Sequence, residues 1–287
     1  MEIALNQVHF AYPNGQAALQ SVTWHIATGE RVALMGANGS GKTTLARQLN
    51  GMLRPTQGQV AIGNWLTSQH SIAQLAHRVG YAFQNPDDQL CRRTVRDEVA
   101  FGARQLHLPQ AQALTDAALA AWELEAHAST HPRDLSPAWR RRVVLAAVLA
   151  MNTPIVVFDE PTTGQDQRFL GRLATVLDTL HNQGKTVLVI SHDAEFVADW
   201  FDRVVVLAAG RVVADGAPAH VLSDTRWGMA VPQLAELSLR LGWSEPLART
   251  DQFMQRLRSG TASIALAETT SPRIEGTQQL DGSRGQW

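Results

Sequence analysis

Cysteine is almost absent from this chain: Cys91 stands alone among 287 residues. A single thiol excludes an intrachain disulfide, and a reducing compartment is the expected setting. Lysine is nearly as scarce, for of the 25 lysines and arginines only Lys42 and Lys185 are lysines. Neither sign of charge dominates, because 26 acids leave a formal net charge of −1. The bulk basic charge of a nucleic-acid binder is missing, and no nucleic-acid partner is expected. No long apolar run exists. The longest, Val143 to Met151, covers nine residues, where a membrane span needs about 20. No charged-then-apolar leader opens the chain, and no internal repeat is seen. The expectation is a soluble cytosolic chain, or one that sits on a membrane through a partner. Its length suffices for one large domain or two small ones.

What is present alternates between strand and helix patterns. Glu2-Ile3-Ala4-Leu5 and Val22-Thr23-Trp24-His25-Ile26 read as strands. Tyr12-Pro13-Asn14-Gly15 and Thr28-Gly29 read as turns, and Gln59–Gly63 as a further strand. Residues 86–150 are rich in alanine and arginine and read as helical, most clearly from Gln110 to His127. Apolar strands return at Ile155–Phe158, Thr186–Ile190 and Arg203–Leu207. An α/β core interrupted by a helical insertion is the simplest layout. Beyond residue 225, Leu234, Leu237 and Leu241 share one helix face, as do Phe253, Met254 and Leu257. A small helical extension is expected over 226–258. Residues 259–287 are rich in Ser, Thr, Gly and Gln and are expected to be disordered.

The most informative segment is Gly36-Ala37-Asn38-Gly39-Ser40-Gly41-Lys42-Thr43-Thr44. It follows the apolar stretch Arg31–Met35 and precedes the helix-like Leu45–Leu49. Strand, glycine loop and a helix opening with Lys-Thr form the phosphate-binding loop of nucleoside triphosphatases. Glycines let backbone N–H groups turn inward around phosphates. The helix start adds unpaired N–H groups and the positive end of a dipole. Lys42 is expected to reach the β- and γ-phosphates, and Thr43 to hold Mg²⁺. A lysine here stands out in a chain that otherwise uses arginine.

Ile155–Phe158 ends in Asp159-Glu160. A buried strand that delivers carboxylates to its tip is what a magnesium–nucleotide site requires. Asp159 is expected to bind the metal through water, and Glu160 to polarise the attacking water.

In this order the motifs resemble those of the ATPases of ABC transporters, over residues 1–225. The resemblance implies ATP and Mg²⁺ as cofactors. It implies a phosphate-loop α/β core with an inserted helical subdomain at about 86–150 and an N-terminal antiparallel β subdomain. It gives Tyr12 the role of stacking on adenine, and Gln84 contact with Mg²⁺ and water. It makes Leu135-Ser136 the start of the family signature, with Ser136 acting in trans on a second subunit's ATP. Asp166 becomes the D-loop acid, and His192 the contact to the γ-phosphate. A narrower similarity is to the energy-coupling-factor ATPases, which drive uptake of vitamins and transition-metal ions. It rests on Phe83-Gln84-Asn85-Pro86-Asp87-Asp88-Gln89-Leu90 and Asp97–Gly102, which look like the groove for a membrane subunit. Asp87 or Asp88 would pair there with the membrane subunit's arginines. The implied partners are a second ABC ATPase, a transmembrane coupling subunit and a substrate-binding membrane subunit, at the cytoplasmic face of the membrane.

One element departs from that family. The signature Leu-Ser-Gly-Gly-Gln is here Leu135-Ser136-Pro137-Ala138-Trp139. Pro137 removes an N–H and Trp139 adds bulk, yet Ser136-Pro137 is a sound helix start. A homodimer would carry two degenerate sites, whereas a heterodimer leaves one site able to be intact. An ATP-binding regulatory half with weak turnover and a soluble ABC-type ATPase stay open as alternatives.

Overall fold

The computed structural model describes residues 1–258. The tail expected at 259–287 lies outside them. The first strands are β1 (Ile3–Ala11), β2 (Ala17–Ile26) and β3 (Arg31–Met35), followed by α1 (Lys42–Leu49). Next come β4 (Gln57–Ile62), β5 (Trp65–Leu66), α2 (Ile72–Leu75) and β6 (Val79–Ala82). The antiparallel sheet runs β2-β1-β4-β5. In β1 the buried positions are Ile3, Leu5, Val8 and Phe10, a spacing that a regular strand cannot keep on one face. A register shift between Leu5 and Val8, with Gln7 at φ 46°, absorbs the extra residue and returns Val8 to the core.

The chain continues through α3 (Val95–Gln105), α4 (Ala111–Ala121), α5 (Pro137–Ala150) and β7 (Ile155–Asp159). Then follow α6 (Gln167–Asn182), β8 (Thr186–Ile190), α7 (Ala194–Trp200), β9 (Arg203–Ala208) and β10 (Arg211–Gly216). The second sheet runs β10-β9-β3-β8-β7-β6, parallel except at β10. Its inner strands read as unbroken apolar runs because both faces are covered. Val32 and Leu34 of β3 pack with Leu45 and Leu49 of α1 and with the antiparallel sheet. Ala33 and Met35 pack toward the helices on the other face. The helical insertion α3–α5 joins β6 to β7, which are direct neighbours in the sheet.

Two helix readings are corrected. The helix expected from Gln110 to His127 stops at Ala121. Glu123 takes a left-handed φ of 57°, and the Leu124 N–H turns back to the Leu119 carbonyl. That turn seats the fully buried Trp122 on Phe169, with ring centroids 5.4 Å apart. α8 (Pro218–Leu222) follows β10, and the helices of the C-terminal extension are α9 (Gln233–Arg240) and α10 (Thr250–Arg258). The expected Leu234–Leu237–Leu241 face is not the buried one. α9 instead buries Ala235 and Ser238 and exposes Leu237. The Ser238 hydroxyl accepts from Leu247 N–H and donates to the Leu234 carbonyl, which folds the following loop over that side. Phe253 is buried beside Trp243, while Met254 and Leu257 stay exposed.

Candidate nucleotide site

Strand order explains why distant residues meet. β3, β8 and β7 are consecutive neighbours in the parallel sheet, and β6 flanks β7. The carboxyl ends of parallel strands are where ligands bind in such sheets. The loop 36–41 leaves β3, His192 follows β8, Asp159 and Glu160 close β7, and Gln84 follows β6. Residues far apart in sequence therefore share one rim.

The loop is shaped by backbone that only glycine tolerates. Gly36, Gly39 and Gly41 have φ of 139°, 79° and 106°. A methyl group at Gly41 would sit 2.6 Å from the Ala18 carbonyl oxygen, and one at Gly36 would overlap the Leu207 carbonyl oxygen. Gly41 caps α1 without any side-chain hydrogen bond to the helix N–H groups. Those donors point into the loop, where an anion satisfies them. The Lys42 ammonium donates to the Gly36 and Ala37 carbonyls at 2.8 and 3.0 Å, holding the loop closed. Burial pulls the Lys42 pKa down, and Glu160 and Asp159 oppose that shift. The Ser40 hydroxyl is buried without a partner.

Asp159 is 2% exposed. Its Oδ2 accepts from the Tyr81 hydroxyl at 2.8 Å, whereas Oδ1 has no partner. Burial pushes its pKa up, and the hydrogen bond from Tyr81 pulls it back. An orphaned carboxylate oxygen costs on the order of 1–3 kcal/mol, and a cation-bound water at the loop would recover it. Among the described residues no three His, Cys, Asp or Glu side chains converge on a metal position. A hard cation here would depend on Thr43, Asp159, water and the ligand's own oxygens.

Glu160 is 6% exposed and has a left-handed φ of 52°. A non-glycine residue in that region costs about 1–3 kcal/mol unless its surroundings hold it. Its N–H donates to the Ile190 carbonyl at 2.9 Å. Its Oε2 lies 2.7 Å from His192 Nδ1. The His192 side chain is 63% exposed, so it is not a core histidine.

Tyr12 lines the same cleft as Asn38, Lys42 and Thr43. Its hydroxyl is 2.8 Å from Thr44 Oγ1, and its ring meets Phe10 edge-on. Gln84 is exposed and lines that cleft too. Asp166 caps α6 by accepting from Phe169 N–H at 2.8 Å. Ser136 is the N-cap of α5, with Pro137 in the first turn. Its hydroxyl makes no capping bond and is exposed, and Ser136 lines neither cleft around Lys42.

Several residues were not legible as part of this region. Arg140 grips Asp87 through Nη1 at 3.0 and 3.1 Å. Asp87 thus meets an arginine of its own chain while its side chain stays half exposed. Asp88 accepts only from Asn85, at 3.0 Å, and stays available to a partner's cation. Arg141 donates to the carbonyls of Glu160 and Gln84. Arg142 joins Arg168 and Arg172 on the Glu123 carboxylate at 2.7–2.9 Å. Hydrogen bonds from Arg168 and Arg142 hold that carboxyl below the usual range. Gly228, Met229 and Ala230 line the mouth of the cleft beside His192 and Glu160. Nothing in their sequence carried that position.

A phosphate loop at the head of a parallel sheet, with paired acids and a histidine on adjacent strand ends, defines an ATP-binding cassette. The pattern of the family described as ABC transporter matches residues 19–163, and the chain belongs to that family of transport-coupled ATPases. An energy-coupling factor transporter ATP-binding protein, EcfA, of Methanothermobacter thermautotrophicus is 37% identical over 83% of this chain and 79% of its own length. EcfA of Methanocaldococcus jannaschii is 35% identical over 82% and 87%. A putative ABC transporter ATP-binding protein of Methanosarcina acetivorans is 38% identical over 83% of this chain, which spans only 40% of it. Among solved structures, cbiO1 of Clostridium perfringens, described as part of the ABC transporter complex cbiONQ, superposes with a TM-score of 0.70. It is 30% identical, over 84% of this chain and 95% of that one. The cassette MJ0796, solved as a dimer in a post-hydrolysis state with ADP and Pi, gives 0.68 at 28% identity, over 75% and 98%. Among the described residues no helix is long and apolar enough to cross a membrane.

Proposed function

We propose that this chain hydrolyses ATP to power an energy-coupling-factor importer of a vitamin or transition-metal ion. It works from the cytoplasmic face of the membrane, paired with a second ABC ATPase. The observation that carries the reading is the meeting of Lys42, Asp159, Glu160 and His192 on one sheet rim. Its relatives named EcfA and its neighbour from the cbiONQ complex support the importer class.

In this reading the loop N–H groups of residues 36–44 cradle the phosphates, and Lys42 leaves its loop carbonyls for the β- and γ-phosphates. Tyr12 stacks on the adenine. Mg²⁺, when bound, neutralises phosphate charge, and Thr43, Gln84 and Asp159 would hold it directly or through water. Glu160 orients and polarises the attacking water. His192, hydrogen-bonded to Glu160, contacts the γ-phosphate. Ser136 and Asp166 act across the dimer interface, Ser136 on the partner's ATP. Asp87 or Asp88 meets an arginine of the transmembrane coupling subunit, Asp88 being the one not already paired with an arginine of this chain, and a separate membrane subunit selects the cargo. The heterodimer is favoured because Pro137, Ala138 and Trp139 replace the glycines and glutamine of the signature. Pairing with an ATPase that carries the intact signature leaves one complete site.

Co-expression with the neighbouring genes and recovery from membranes tests this. The expected result is a complex with a second ATPase and membrane subunits. Its hydrolysis should fall by about a hundredfold or more with Glu160→Gln. Recovery of the chain alone from cytosol overturns the importer reading. A complex whose turnover ignores Glu160 supports the second reading, an ATP-binding regulatory half.

A further inference from the structure

Arg140, Arg141 and Arg142 occupy one turn of α5, about 100° apart around its axis. They therefore point to separate parts of the molecule. Arg140 holds Asp87, and Arg142 holds Glu123 together with two arginines of α6. Arg141 is different, because neither acceptor is a carboxylate. Its Nη1 donates to the Glu160 carbonyl at 2.9 Å, and its Nη2 to the Gln84 carbonyl at 2.8 Å.

We infer that Arg141 is a positioning residue for the hydrolytic centre, tying the backbone of Glu160 and Gln84 to the helix that begins at Ser136. The inference rests on the roles proposed above for Glu160 and Gln84. The Glu160 backbone has a positive φ and two tethers: its N–H on Ile190 and its carbonyl on Arg141. Removing the second tether frees the peptide that aims the Glu160 carboxylate. Gln84 begins the loop that carries Asp88, and its other end is held by Arg140 through Asp87. A shift of that loop is therefore delivered to Glu160 through one planar guanidinium. Only a fork with two donors bridges both carbonyls; a lysine ammonium lacks that planar geometry. The same helix presents Ser136 outward at its first turn. A movement of α5 thus changes the chain's own hydrolytic residue and the serine offered to the partner's ATP together.

The test uses the full chain in its membrane complex, comparing Arg141→Gln and Arg141→Lys with the unaltered protein. The readouts are kcat, KM for ATP, binding of a fluorescent ATP analogue, and melting temperature. Arg141→Gln is expected to lower kcat by roughly ten- to a hundredfold, with KM and analogue binding unchanged. Arg141→Lys should fall between the two. Wild-type kcat in Arg141→Gln overturns the inference. So does a loss of kcat that arrives with equal losses of analogue binding and melting temperature, which marks a structural role. If Arg141→Gln does not fold, Arg141→Lys decides by the same split. Glu160→Gln separates the two levels. If it is inactive and Arg141→Gln is normal, only this inference fails; if it is fully active, the reading of the site fails first.

Discussion

The phosphate loop and the Ser136–Pro137 turn both open a helix, and they treat glycine in opposite ways. In the loop, glycine is demanded by the chain's own fold. Gly36 and Gly41 have positive φ, and each faces a carbonyl oxygen of a neighbouring strand where a side chain has no room. At the signature, Ser136 has φ −62° and ψ 158°, an ordinary N-cap, and Pro137 sits in the first turn where its missing N–H is harmless. Nothing inside this chain requires glycine at positions 137 or 138. Loss of a glycine therefore means different things in the two places: a broken fold in the loop, and no conflict within the chain at the start of α5.

That contrast breaks most visibly at Gly36. Gly36→Ala is expected to lose about 3 kcal/mol or more of stability, from left-handed strain added to overlap with the Leu207 carbonyl. Denaturant unfolding measures this, and an unchanged midpoint removes the steric half of the comparison. A middle effect is expected at Glu123, which fastens α5 to α6. Glu123→Gln should melt at a lower temperature at neutral pH. The carboxyl is held below its usual pKa in the fold, so its contribution is present above the unfolded carboxylate range and fades as acid titrates it. The gap between variant and parent should close in acid, and a gap that widens refutes the ion cluster as its source. The smallest stability change is expected from restoring the two signature glycines through Pro137→Gly and Ala138→Gly. Two first-turn glycines cost about 1–2 kcal/mol together. If the comparison is right, the fold survives and hydrolysis by the assembled complex rises. Unchanged or lower hydrolysis would show that Pro137 and Ala138 do not limit the site.

What the sequence made legible follows from the range of each interaction. The phosphate loop and Asp159-Glu160 each lie in a short contiguous motif at a strand end, so local pattern was enough to read them, whereas His192 was read only through the resemblance to a family. The layout of strands around a helical insertion was readable for the same reason. Arg141 was not, because its acceptors are main-chain carbonyls, which every residue possesses and no sequence advertises. Tyr81 reaches Asp159 across 78 positions, and Arg140 reaches Asp87 across 53. The early stop of α4 followed from packing of Trp122 on Phe169, which outweighed helix-forming residues beyond Ala121. In α9 the apolar stripe pointed to the wrong face because one serine, Ser238, anchors the following loop.

The helical insertion leaves the sheet from β6 and re-enters at β7, and those strands lie side by side. Because the two strands run parallel, the chain departs from the carboxyl end of β6 and returns at the amino end of β7, so its two roots sit at opposite edges of the sheet, roughly 10 Å apart along the strands. A body rooted at both edges is strapped across the sheet rather than hung from one point. The Arg141 guanidinium, on the carbonyls of Glu160 and Gln84, adds a rivet at the carboxyl rim, beside the root from which that strap departs.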